Sequence, residues 1–163
     1  MINILPIQAH QTEEAKYIIS AVAQRIFVPD KTAQYFYDVL EEEKELLDVD
    51  NFQKEYFENR GLFLVVMDDE KLVGTGAIKK LEENIAELKR LWLLEEYHGQ
   101  KIGYRVVLQL LDFARTQGYE KVRLQTSQKQ DRAVRFYTQL GFYEISSYRE
   151  SMDDISMEMG LGT

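Results

Sequence analysis

The sequence predicts an α+β domain in three layers, with a mixed central β-sheet flanked by helices. Three observations predict it. A continuous apolar run, Leu62 to Met67, opens a series of strand-like segments just after Gly61. Apolar residues then recur at spacings of three and four through Ile102, Val106, Leu110, Phe113 and Ala114. A second stretch with helical spacing, Ala133 to Leu140, is preceded and followed by further strand-like segments. The chain has 163 residues, which fits one domain spanning 1–163 with a substantial core.

Taken in order, Ile2 to Pro6 reads as a short strand that stops at proline. Thr12, followed by Glu13 and Glu14, reads as the N-cap of a helix with Ala15, Ile18, Ile19, Val22 and Ile26 on one face. Pro29-Asp30 breaks that helix, and a second helical region is expected from near Asp30 through Leu40, with Glu41 to Glu45 as its solvated end. Val49 to Asn59 adds further helical turns. Leu62–Met67, Leu72–Lys79 and Ile85–Leu94 form an antiparallel meander with turns at 68–71 and 81–84. The helix from Ile102 ends at Gly118, a C′ glycine. Lys121–Gln125 is a strand, Asp131 opens the last helix, Gly141 follows it, and strands are expected near 142–146 and 155–159.

Composition excludes several chemistries. The absence of cysteine removes disulfides, thiolate zinc sites and a cysteine nucleophile. His10 and His98 are the only histidines and belong to no metal-ligand motif, so no metal is expected. The net charge is −8. Residues 1–60 hold 12 acidic and 6 basic side chains, so the acidity is concentrated there. An acidic surface argues against nucleic acid as a partner and suits an amine substrate, although acidic helix faces also serve solubility alone. No apolar run has the length to cross a bilayer, and Met1 to His10 lacks the pattern of a signal peptide. The expected location is cytoplasmic, without a membrane partner.

The segment His98-Gly99-Gln100-Lys101-Ile102-Gly103 lies between a strand and a helix. The first amides of a helix have no internal partners and sit at the positive end of the macrodipole, so such a junction suits an anion. An ordinary tight turn before a capped helix is the other reading. The segment is neither a Walker A loop nor a dinucleotide fingerprint. Before it stands Glu87-Leu-Lys-Arg-Leu-Trp-Leu-Leu94, and after it Ala133-Val-Arg-Phe-Tyr-Thr-Gln-Leu-Gly-Phe142.

Together these segments resemble the GNAT superfamily of N-acetyltransferases. That family carries a strand, then Arg-Gly-x-Gly-x-Gly, a helix, a strand, and Asn-x-x-Ala-x-x-Phe-Tyr-x-x-x-Gly-Phe. Order and spacing agree across residues 85–142, and Phe136-Tyr137 with Gly141-Phe142 is the most specific piece. The resemblance implies a GNAT-like fold and acetyl-CoA as co-substrate. Its diphosphate would lie on His98, Gly99, Gln100, Lys101, Ile102 and Gly103, with Tyr104 opening the next turn. Its pantetheine arm would run beside Leu91, Trp92 and Leu93, although Trp92 taken alone reads as core packing. His98 stands where the family has arginine or glutamine. Lys101 replaces the middle glycine, which raises the question whether a lysine adopts a positive φ there. Gln130 matches an asparagine that contacts the cofactor.

By the same resemblance Tyr137 is the general acid for the departing thiolate, since a phenol can donate a proton. Glu87 is the candidate general base. A carboxylate in an apolar strand is costly unless paired or functional, so a pair with Lys89 or an exposed edge is its alternative. Lys89, Arg90 and Arg105 read as solvated surface. Tyr35, Tyr37 and nearby acidic residues are expected in the acceptor wall.

The implied activity is transfer of an acetyl group to a primary amine, on a small molecule or a protein. The alternatives are a non-catalytic acyl-CoA-binding or sensory module, and a structural homodimer exchanging its final strands.

Overall fold

The computed structural model describes residues 1–151, 153 and 155–162. Its sheet has seven strands in the order β1-β2-β3-β4-β5-β7-β6. They are β1 Ile2–Pro6, β2 Leu62–Asp68, β3 Lys71–Glu82, β4 Ile85–Leu93, β5 Lys121–Thr126, β6 Tyr143–Ile145 and β7 Ile155–Gly160. The α-helices are α1 Thr12–Phe27, α2 Ala33–Glu42, α3 Leu47–Asp50, α4 Ile102–Thr116 and α5 Asp131–Leu140. Every adjacent strand pair is antiparallel except β4 with β5. The expected mixed sheet flanked by helices is therefore present, and the element order is the one the sequence predicts.

Two cores explain the layers. Leu64, Val66, Val73, Ile78 and Leu88 point to the face covered by α4, where Val106, Val107 and Leu110 meet them. Phe63, Val65, Leu72 and Ala77 point to the opposite face, against Ile19, Leu46, Val49 and Tyr56. The alternation along β2 is the period of two that a strand imposes. Burying each such large side chain contributes about 1.5–3 kcal/mol. Gly76 allows α4 to approach the sheet, because a Cβ there would lie 2.5 Å from Val106 Cγ1. Gly141 ends α5 at φ 113°, a conformation that glycine adopts without a Cβ clash.

Two expected starts are corrected. Thr12 is not the N-cap of α1. Gln11 holds that position after a 3-10 turn, and the Gln8 and Gln11 side chains close a capping box at the start of that turn. The Thr12 hydroxyl instead donates to the Ala9 carbonyl at 3.3 Å. The second helix starts at Ala33 rather than near Asp30, because Thr32 caps it by accepting from the Tyr35 amide. Between Val49 and Asn59 the chain forms the end of α3 and a π-helical segment, Gln53–Phe57.

The acidic N-terminal half has a structural use. The buried Lys16 ammonium is ringed by Glu13 at 3.2 Å, Glu41 at 2.5 Å and Asp50 at 3.0 Å, which ties α1, α2 and α3 together. No helix among the described residues is long and apolar enough to cross a membrane.

Candidate active site

The site is set by where β4 leaves its neighbours. Its parallel register with β5 runs only from Ile85 to Glu87, opposite Lys121 to Arg123. Beyond Glu87 the two strands diverge and leave one edge of β4 unpaired. On its other edge β4 carries a bulge. Thr75 faces Trp92 while Ala77 faces Lys89, so β4 has one residue more than β3 over that stretch. Arg90 lies in the bulge at φ 57°. The extra residue changes the phase of the strand: Ala86, Leu88, Leu91 and Leu93 all pack on the α4-side core. Glu87, Lys89 and Trp92 are left for the opposite side, where Trp92 packs against the core of α1 and α3.

After β4 comes a 3-10 turn, Glu95–Tyr97, and then the loop into α4. Gly99 takes φ 84° and Lys101 takes φ 61° with ψ 19°. The positive φ in question at position 101 is thus adopted by lysine. Arg105 N–H donates to the Lys101 carbonyl as the helix begins, and the amides of the first turn stay open by helix geometry. Ile102 is buried and anchors this end. His98 Nε2 lies 2.9 Å from the Leu93 carbonyl. A carbonyl only accepts, so Nε2 carries the proton, and the buried Nδ1 has no partner among the described residues.

These elements enclose two connected hollows. The larger is a groove of about 990 Å³ between the end of β4, the loop, the start of α5 and one side of α1. His98, Gly99, Lys101, Ile102, Gly103 and Tyr104 line it, with Leu91, Trp92 and Leu93; Gln100 does not. Besides Arg25, which pairs with Glu95 at 3.2 Å, four further cations line it: Lys101, Lys129, Arg132 and Arg135. All four are exposed, and none takes part in a side-chain hydrogen bond or ion pair among the described residues.

The smaller hollow, of about 270 Å³, lies where β4 and β5 part. It is lined by Glu87, Lys89, Arg90, Gln125, Tyr137 and Arg149 among others. Leu91, Trp92 and Gln130 belong to both walls and mark the junction. The structure thus brings Tyr137 and Glu87 to one cleft and the loop to an adjoining one.

Tyr137 packs between Phe136 and Phe142, with ring centroids 5.5 and 5.6 Å away, and burial pushes its phenol up. Glu87 is not at an exposed edge but buried, and the expected pair with Lys89 is present at 3.9 Å. Its carboxylate accepts from the Tyr148 hydroxyl at 2.7 Å and from Arg149, both on the segment between β6 and β7. Burial lowers the Lys89 ammonium.

Other expectations are corrected. Arg90 is not solvated surface: it donates to Asp48 through Nε at 3.0 Å and through a terminal nitrogen at 2.6 Å. Lys89 is half-buried in the cleft, and only Arg105 of the three is exposed. Tyr35 and Tyr37 line neither hollow. The Tyr37 hydroxyl donates to Glu13, and Lys31 stands over the Tyr35 ring. Phe27 and Glu45 supply that wall instead. Sequence reasoning missed Asp48, Tyr148 and Arg149, whose roles depend on contacts between distant segments with no local spacing signal.

Comparison with known proteins adds an independent line. The model of the acetyltransferase (GNAT) family matches residues 24–142. N-acetyltransferase 8B of Rattus norvegicus is 35% identical over 111 residues, 64% of this chain and 50% of the relative. Its Homo sapiens counterpart is 37% identical over 101 residues, 58% and 44% of the two chains. The chain thus spans about half the length of these relatives. A GNAT-family acetyltransferase structure from Staphylococcus aureus superposes with a TM-score of 0.83 at 23% identity, covering 99% of both chains. The PaiA N-acetyltransferase of Thermoplasma acidophilum, solved with coenzyme A, gives 0.79 at 24% identity, covering 98% of this chain and 99% of that one. At these identities the likeness is one of fold.

Proposed function

The chain belongs to the acetyltransferase (GNAT) family, and on that premise we propose that it moves an acetyl group from acetyl-CoA to a primary amine by direct attack. One observation carries the reading. In a protein of net charge −8, four cations without a side-chain partner among the described residues, Lys101, Lys129, Arg132 and Arg135, gather around a single groove. Such a groove selects a ligand with several negative charges. Coenzyme A, the ligand of the Thermoplasma acidophilum relative, has a diphosphate and a further phosphate. The open amides of α4 supply additional polar contacts for it.

In this reading the thioester supplies an activated acetyl group, and the protein supplies position and proton management. Gly99 and Lys101 to Tyr104 hold the phosphates, and Leu91 to Leu93 guide the arm along the unpaired edge of β4. Gln130 stands at the junction toward the acceptor cleft. Tyr137, kept protonated by burial, donates to the departing sulfur. Glu87 takes the proton from the amine once Arg149 and Tyr148 yield their hold on it. The acceptor is a small-molecule amine or a protein amino group that reaches Glu87 through the cleft between β4 and β5.

One observation favours a second reading, a non-catalytic acyl-CoA-binding module. Arg149 and Tyr148 already engage the Glu87 carboxylate, so in this arrangement it is not free to meet an amine. Thiol release from acetyl-CoA across a broad amine panel, with calorimetry of coenzyme A binding alongside, separates the two. Turnover with any amine supports the enzyme. Binding with no turnover supports the module, and no binding removes both.

A further inference from the structure

Arg90 takes φ 57°, in the left-handed region that a non-glycine residue rarely adopts, in the middle of the strand that frames both hollows. Such strain persists only where neighbours over-determine it, and here they do. The Arg90 guanidinium donates twice to Asp48 and once to the Glu45 carbonyl at 2.8 Å. Asp48 also accepts from the Tyr56 hydroxyl at 2.5 Å, and the Tyr56 ring is buried against Phe63. From the other strand, the buried Thr75 hydroxyl donates to the Arg90 carbonyl at 2.7 Å. Asp48 is itself fixed, because its helix α3 is held by buried Val49 and by the Asp50–Lys16 pair.

We propose that Asp48 and Arg90 are positioning residues for acetyl transfer: their ion pair clamps the β4 bulge and thereby sets the direction of the Leu91–Trp92 backbone at the junction of the two hollows. The inference rests on the proposed function, since it assigns the bulge a task in that reaction. It goes beyond that reading by giving the N-terminal half a part in it. Asp48, Glu45 and Tyr56 all precede the sheet's central meander, yet they fix the strand on which the phase change depends. That phase change puts Glu87 and Lys89 on the cleft side while Leu91 and Leu93 pack on the other face.

The clamp acts through backbone conformation, so a residue that tolerates the left-handed region should replace it. Arg90 is varied in an Asp48→Asn background, which removes the buried charge that Arg90 would otherwise leave unpaired. The set is D48N/R90G, D48N/R90N and D48N/R90A, because glycine, then asparagine, then alanine is the order of tolerance for positive φ. Turnover of acetyl-CoA with a saturating amine should follow that order. D48N/R90G should recover to within about threefold of the wild type and D48N/R90A should lose about tenfold or more in kcat, with smaller changes in KM for acetyl-CoA. The Leu91 and Trp92 amide resonances should stay near wild-type positions for glycine and move for alanine. A folded D48N/R90A enzyme as active as D48N/R90G overturns the clamp while leaving the proposed function intact. If the alanine variant does not fold, equal kcat for the glycine and asparagine variants, with unmoved amides in both, overturns it. A wild-type protein that binds no coenzyme A overturns the functional reading instead.

Discussion

Arg149, on the segment between β6 and β7, forms an ion pair with Glu87 in β4 across 62 residues of chain. The pair spans the mouth of the cleft where β4 and β5 separate. Burying a lone carboxylate in a strand is expensive, and this partner together with Tyr148 offsets the cost. The same contacts put the proposed base under the control of a segment outside the meander.

Glu87→Gln tests that base directly. Glutamine keeps the shape and still accepts from Tyr148, while the half-exposed Arg149 can turn to solvent. We expect turnover to fall by about tenfold or more. Wild-type turnover in steady-state kinetics removes the base role.

Tyr137→Phe keeps the packing against Phe136 and Phe142 and removes the proton donor. The expected result is a loss of about a hundredfold in turnover with coenzyme A affinity nearly unchanged. In the wild type, burial holds the phenol above its usual value, so any alkaline loss of activity from this group begins above about pH 10. Unchanged turnover in the variant, with chemistry rate-limiting, sinks the acid assignment.

Gly103→Val probes the groove without straining the fold. A Cβ at Gly103 meets only Phe136 Cζ, at 3.9 Å, so the helix accepts it. The added methyl groups intrude on the groove wall. Calorimetry should give a coenzyme A Kd raised about tenfold, and unfolding free energy should stay within about 0.5 kcal/mol. Normal affinity counts against the loop as the diphosphate site.

Much of this site is legible in the sequence, for a physical reason. The loop, Tyr137 and the β4 residues are ordered by local rules: strand period, helix start, and glycine where φ is positive. Lys101 is an exception that local rules leave open, since nothing nearby announces that a lysine takes φ 61°. The start of α1 is another, because a 3-10 turn boxed by Gln8 and Gln11 leads into it and Gln11 rather than Thr12 holds the N-cap position. Asp48, Arg90 and Arg149 are harder still. Arg90 reads as surface in the sequence, nothing local singles out Asp48 or Arg149, and each acquires its meaning only when a distant segment is folded against it.

Asp48 also makes stability depend on pH in a defined direction. Burial raises its carboxyl, but the Arg90 guanidinium and the Tyr56 hydroxyl outweigh that and leave it lowered. A carboxyl depressed in the folded state stabilises the fold above its unfolded value, and the contribution is lost as pH falls through the folded one. Asp48→Asn lacks it. The stability gap between wild type and variant, from urea unfolding, should be constant down to about pH 5 and close below about pH 4. A gap independent of pH contradicts the assignment.

The most direct measurement is a crystal structure of the protein with coenzyme A. It should have the diphosphate on the amides that open α4, and the sulfur within about 3–4 Å of the Tyr137 hydroxyl. A sulfur directed away from Tyr137, or a cofactor bound outside the groove between β4, α4 and α5, would contradict the account.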